Sequence, residues 1–285
     1  MLDYIHHYTT IDTLAKILSS KKLRFNRLDQ MDDVRETKIQ FGINFGKYFF
    51  ISCWTHSNKE SIPQWHMYAG GMKGIRISLP ILPFKRKLIT PNPGWDMKMQ
   101  GKMYSPLSLD EQYGSDYMVL PMFMNPDQFG GPVEYCTDAD SRYAEAIKIK
   151  RSSQNKASLT ISRPFDLVRL KSPDWSFQQE YRYFLFIMPS LPIPSSGPGS
   201  PEFHEKLPSY ILNAFLNGKA PSISYIDVDL SNTALSQLII TIAPLCSKES
   251  KQRVKDLVAT HIPEAQVIDS KLMGTIRKPE KHESF

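Results

Sequence analysis

Apolar positions along the chain fall into three kinds of run, and each kind predicts a different element. At Ile11, Leu14, Ile17 and Leu18 they recur at helical spacing; Thr9 or Thr10 can cap this helix, Asp12 suits its positive end, and Lys21 and Lys22 suit the other. Ile62, Trp65 and Tyr68 share one face of a shorter helix, with Ser61 as cap, Pro63 in the first turn and Gly70–Gly71 as stop. Val254, Leu257, Val258 and His261 give residues 247–262 an inward face. Strict alternation of Ile75, Ile77 and Leu79 with Arg76 and Ser78 predicts a half-buried strand. An unbroken apolar run at 47–54 predicts a buried strand, and 179–187, 223–230, 238–245 and 265–272 read as strands, as do extended pieces at 4–8 and from 23. Residues 83–158 carry little pattern beyond a turn signal at Gly130–Pro132 and a helix within 138–152.

Residues 188–209 are rich in Pro, Gly and Ser and read as an insertion without regular structure, before a short helix at 210–216 stopped by Gly218. No other stretch divides the chain, so one α+β domain is expected over 1–285. Its sheet is expected to be mixed or mainly antiparallel with packed helices, and a split of that sheet into two facing parts stays open.

Composition changes this picture little. In 285 residues the net charge is +6, which suits an anionic ligand or nucleic acid without demanding either. Lys85, Arg86 and Lys87 read as a solvated face, with nucleic-acid contact as the alternative. Cys53, Cys136 and Cys246 are far apart and form no C-x-x-C pair; no apolar run approaches the ~18 residues of a membrane span, and no signal-peptide pattern opens the chain. A cytoplasmic protein with no membrane association is the expectation.

The candidate chemistry is sparse. His7 stands at a strand-to-helix corner, where it either faces a cleft or is a hydrogen-bonded structural residue. Trp65 and Tyr68 are core anchors or line a ligand site beside the glycine bend. Alternation places Glu180 and Arg182 on one strand face and Tyr181 and Tyr183 on the other; a carboxylate there is either paired with Arg182 or held for a ligand. Asp29, Asp32, Asp33 and Glu36 can be metal ligands, helix caps or solvated acids, and their spacing matches no standard ligand pattern. Cys53 lies within an apolar run with no histidine at a defined spacing and reads as an inert thiol.

Several stretches, in order, resemble a bacterial family known as domain of unknown function 2971: HYTT with the following LAKILSSKKLRF, MDDVRE, FFISCW, QWHMYAGGMKGI, VEYC, the spacing of Lys171 and Trp175, QQEYRYF, and the segment from LIITIAPLCSKES to DSKLMGTIR. The chain departs from that pattern at Val34, where the family has proline, and at Gln178, where it has Glu-x-Glu. The opening His7–Tyr8–Thr9, the helix after it and the basic residues beyond are also similar to the ADP-ribosyltransferase superfamily. That second resemblance implies an ADP-ribosyltransferase-like fold and an enzyme using NAD as substrate, in a toxin or defence effector. It implies catalytic roles for His7, Tyr68 and Glu180, with NAD contacts from Tyr8, Thr9, Arg24, Arg27, Trp65, Gln178 and Arg182. Cleavage of the nicotinamide–ribose bond would pass through an oxocarbenium-like state, which a carboxylate stabilises. His7 would orient a ribose hydroxyl, Tyr68 would stack on nicotinamide, and Arg24 or Arg27 would clamp the pyrophosphate. The acceptor would be a protein or a nucleic acid. A non-catalytic module binding a nucleotide or nucleic acid, and a metal-dependent nuclease built on Asp32, Asp33 and Glu36, are the competing expectations.

Overall fold

The apolar run ending at Trp54 becomes the strand on which the sheet branches. The computed structural model describes residues 3–37, 39–97, 101–151 and 157–277. Its main sheet has ten strands: β1 (Tyr4–Thr9), β2 (Lys22–Arg27), β3 (Phe49–Thr55), β4 (Ile75–Pro80), β5 (Tyr117–Leu120), β6 (Gly130–Pro132), β7 (Glu180–Pro189), β8 (Tyr225–Asp229), β9 (Ile239–Ile242) and β10 (Gln266–Asp269). The path runs β6-β7-β3-β1-β4-β9-β10, and every pairing is antiparallel except the parallel β9–β10 edge. Four helices bear on the core and the site: α1 (Ile11–Ser20), α2 (Ile62–Tyr68), α3 (Pro201–Leu216) and α4 (Lys248–His261). The protein is therefore α+β with a mixed, mostly antiparallel sheet. Among the described residues no helix is long and apolar enough to cross a membrane.

Two strands compete for one edge of β3. On that edge β1 pairs only at His6↔Thr55, and β2 pairs at Asn26↔Ile51 and Arg27↔Phe50. Residues 52–54 are left without a ladder partner there, and α1 bridges the diverging strands. The sheet thus forks at β3, with β2 carrying β8 on its outer side. One apolar cluster, including Leu14, Phe25, Phe50, Ile77, Leu185 and Val254, packs under α1 and α4. Another gathers Phe45, Phe49, Phe184, Phe186, Phe203 and Phe215 under α3. A small third cluster seats Trp65 of α2 on Tyr8, with Leu272 and Ile276 against it.

Local chemistry explains most element boundaries. Thr10, rather than Thr9, caps α1 through a bond from the Thr13 N–H to its hydroxyl (3.2 Å). Ser61 caps α2, and Ala69 then hands over to Gly70 and Gly71, both at positive φ. Three expectations need correction. The strand expected to be half-buried, β4, is buried on both faces, because Arg76 and Ser78 lie on a side covered by α2 and residues 272–276. The helix expected at 210–216 begins at Pro201, since the Ser200 hydroxyl caps it and Phe203 turns into the core; Pro208 is carried inside it. Gly130–Pro132 is a short strand, where a Cβ on Gly130 would sit 2.6 Å from the Tyr183 ring and one on Gly131 2.5 Å from the Arg169 guanidinium.

Candidate functional site

A cavity of about 450 Å³ occupies the fork. Its walls come from β1, α1, β2, β3, the end of α2 and the start of β7, so His7, Tyr68 and Glu180, 173 positions apart at the extremes, share one hollow. Because the cavity passes through the unpaired stretch of β3, both Cys53 and Trp54 line it although they belong to opposite faces of the strand.

The deep end is a closed set of four charges. Glu180 opens β7 immediately after Gln179, whose left-handed φ of 41° ends a 3-10 turn at Pro173–Gln178. Its carboxylate meets the Arg182 guanidinium at 2.5 and 3.0 Å and the Lys171 ammonium at 3.1 Å. Glu36 closes the ring, 2.9 Å from Lys171 and 2.5 Å from Arg182. Lys171 is fixed by the short parallel pairing of Leu170–Lys171 with Glu134–Tyr135 and by the Trp175 ring, whose centroid is 4.8 Å from its ammonium. Burial raises the Glu180 carboxyl, but the charges of Arg182 and Lys171 and the bonds from Arg182 outweigh it and hold the group at about 2. Glu180 is therefore ionised at neutral pH although only 4% exposed.

A hydrogen-bonded chain leads from this ring to Tyr68. Lys171 donates to the Gln178 side-chain oxygen (2.9 Å), and the Gln178 amide donates to the Tyr68 hydroxyl (2.6 Å). Gln64, one helical turn earlier on α2, holds the Gln178 carbonyl at 3.1 Å. Burial, then the nearby charges of Asp32 and Glu180, push the Tyr68 phenol up, so it stays protonated.

His7 fills the fork from the β1 side. Its Nδ1 lies 2.9 Å from the Cys53 carbonyl, and its ring is 5.3 Å from that of Trp54. A carbonyl only accepts, so Nδ1 carries the proton. Burial lowers the His7 pKa more than this bond raises it, leaving a neutral imidazole whose Nε2 has no partner among the described residues and offers a lone pair. Cys53 is partly buried; desolvation and then the Glu180 charge push its thiol well up, which keeps it a poor nucleophile.

No family model, curated protein or solved structure matches this chain.

Not every residue singled out from the sequence reaches the cavity. Tyr8, Arg24, Gln178 and Arg182 line it together with the three just described. Arg24 stands at the rim, bound by two bonds to Asp227 (2.9 and 3.0 Å), with the Tyr225 ring 3.5 Å away. Arg27, Thr9 and Trp65 lie outside the lining. Arg27 is clamped on Asp29 (2.9 and 2.6 Å), Thr9 is buried in β1, and Trp65 bonds Glu60 (2.9 Å) while its ring meets Tyr8 edge-on at 4.8 Å. Three of the acids weighed as metal ligands have other tasks: Asp29 and Asp33 pair with Arg27 and Arg35, Asp33 also caps the Val34–Glu36 turn, and Glu36 belongs to the buried ring; the fourth, Asp32, lines the cavity. Among the described residues no group of three or more His, Cys, Asp or Glu side chains is placed to hold a metal ion. Glu36 as a partner of Lys171, and Gln64 as a support for Gln178, were not readable beforehand; a single Glu or Gln in a short turn carries no periodic signal.

Proposed function

We propose that the fork cavity binds NAD and that the protein is an ADP-ribosyltransferase-like enzyme, passing ADP-ribose to a protein or nucleic-acid acceptor. The observation carrying this reading is the convergence of His7, Tyr68 and Glu180 on one cavity from three distant elements. In this scheme the Nε2 lone pair of His7 accepts a ribose hydroxyl proton, and the half-buried Tyr68 ring borders the nicotinamide. The bond between ribose C1′ and the nicotinamide nitrogen breaks, and its electron pair leaves with neutral nicotinamide. Positive charge then spreads over C1′ and the ring oxygen, where the ionised Glu180 stabilises it. An acceptor nucleophile closes the new bond to C1′ and releases its proton. Arg182, Lys171 and Gln178 act through Glu180 and Tyr68 by fixing their orientation.

A second reading has its own support. Glu180 already faces two cations, and Glu36 completes a set with no net charge, which weakens the field available to a developing cation. That balance favours a module that binds a nucleotide without cleaving it. Incubation with NAD labelled in the nicotinamide ring, alongside calorimetric titration of NAD, separates the two. Release that falls on the order of 10²–10³ in Glu180→Gln, with binding retained, supports the enzyme. Binding without release supports the module, and absence of both refutes the NAD site.

A further inference from the structure

Most charges on the walls of the fork cavity are matched within the protein. Lys171, Glu180 and Arg182 belong to the ring that Glu36 closes. Arg24 is held by Asp227, and the Lys22 ammonium lies 3.4 Å from Asp229. His7 is neutral, and so is His6, which burial and then the Arg76 charge hold at about 4. Lys16 and Asp32 differ. Both line the cavity, and neither side chain has a hydrogen-bond or ion-pair partner among the described residues.

Each belongs to an element that presents it to the hollow. Thr13, Lys16, Ile17 and Ser20 recur at helical spacing, so one face of α1 forms a wall, and Lys16 is its charged member. Gln30, Met31 and Asp32 line the cavity in succession, where the chain leaves the 3-10 turn at Leu28–Gln30 in extended conformation. Asp32 stands where its charge reaches Tyr68: after burial it is the largest influence on that phenol, ahead of Glu180. Both residues are exposed, so a ligand in the hollow meets them without breaking an ion pair. The two arginines expected at a pyrophosphate, by contrast, are already bound, Arg24 to Asp227 and Arg27 to Asp29. Free charges of opposite sign on two walls suit a ligand that is cationic at one end and anionic further along.

We propose that Asp32 and Lys16 set the orientation and the redox preference of the dinucleotide: Asp32 faces the positively charged nicotinamide of oxidised NAD, and Lys16 takes the pyrophosphate. This inference rests on the NAD reading of the cavity and adds a selectivity that the reading does not contain. The buried ring has no net charge, so the discrimination falls to the free carboxylate. NADH has no charge on its nicotinamide, and ADP-ribose keeps the pyrophosphate but lacks that ring; neither gains the attraction of Asp32. The chain's net charge of +6 by itself favours the more anionic NADH, so a preference for NAD points to a local anion. Breaking the bond from ribose C1′ to the nicotinamide nitrogen leaves that ring neutral, and the hold of Asp32 on it ends as the product forms.

The test is calorimetric titration of the full chain with NAD, NADH and ADP-ribose at low and at high salt. Wild type is expected to bind NAD more tightly than NADH. Asp32→Asn weakens NAD ~5-fold and leaves NADH and ADP-ribose unchanged, which removes the preference. Lys16→Met weakens all three ligands by a similar factor. Both effects shrink as salt rises. Neither side chain has a partner to lose, so both variants should melt with wild type. Should either melt lower, the wild-type ratio of NAD to NADH affinity decides, and a ratio that does not fall with salt overturns the proposal. Equal wild-type affinity for NAD and NADH overturns it while NAD binding stands. So does an Asp32→Asn variant that changes all three ligands alike or none, or a Lys16→Met variant that changes none. Absence of binding by any of the three overturns this inference and the NAD site together.

Discussion

Replacing Glu180 by Gln tests the buried ring directly. The substitution keeps the shape of the side chain and removes one of two negative charges that face Lys171 and Arg182. The folded carboxyl sits at about 2 against an ordinary value of 4.5, a gap that corresponds to about 3 kcal/mol of stability. Breaking a buried pair by removing one partner costs about 3–5 kcal/mol by mutational precedent, so the two routes agree in size. The sign follows from the depressed pKa. This stabilisation is fully present above pH 4.5 and is lost as pH falls toward 2. Urea unfolding of wild type and Glu180→Gln at pH 7, repeated down to pH 3, measures both quantities. The expected loss is about 3 kcal/mol at pH 7, or a melting temperature lower by roughly 6–12 °C. The difference between the two proteins should shrink on acidification. A variant within about 1 kcal/mol of wild type at pH 7, or a difference independent of pH, would refute the ring as a stabilising unit.

Other outcomes follow from neighbouring geometry. Nitrogen-15 shifts of His7 should report the Nδ1–H tautomer and a ring that takes up its proton at lower pH than a free histidine; an Nε2–H tautomer would remove the acceptor proposed for ribose. Both folded histidine pKa values on β1 are depressed, so stability should be complete above pH 6.5 and decline as pH falls toward 4 through His6, which Asn58→Ala would accentuate. Gly74→Ala would place a Cβ 2.3 Å from the Thr9 carbonyl, at the end of the strand that carries His7. A cost of about 1–3 kcal/mol with weaker nucleotide binding is expected, and wild-type stability would contradict the packing of β1. Cys53 should alkylate more slowly than Cys136 at pH 8 in the folded protein, because its thiol is pushed up further, and equal rates would contradict that difference.

The elements that build the site were legible because their patterns are local. The stripe of α1, the run that becomes β3 and the Glu180/Arg182 alternation on β7 follow from periodicity and burial alone. The fork was not legible, since it arises from two strands, 22 and more residues upstream, competing for one edge of β3. Nothing in either strand announces where it will let go. The same limit hid the ring: Arg182 was visible as a partner for Glu180 two residues away, whereas Glu36 and Lys171 arrive from an irregular turn and a two-residue strand. At 188–209 the error came from composition. Proline and glycine dominate up to residue 200, but Ser200 and Pro201 are a helix start, and a buried Phe203 decides the outcome.

The most direct measurement is a crystal structure with a non-hydrolysable NAD analogue. The account predicts the nicotinamide ribose in the fork of the sheet, with a hydroxyl within hydrogen-bond distance of His7 Nε2 and the ring against Tyr68. An analogue bound elsewhere, with the fork cavity and the Glu180 ring unchanged, would contradict it.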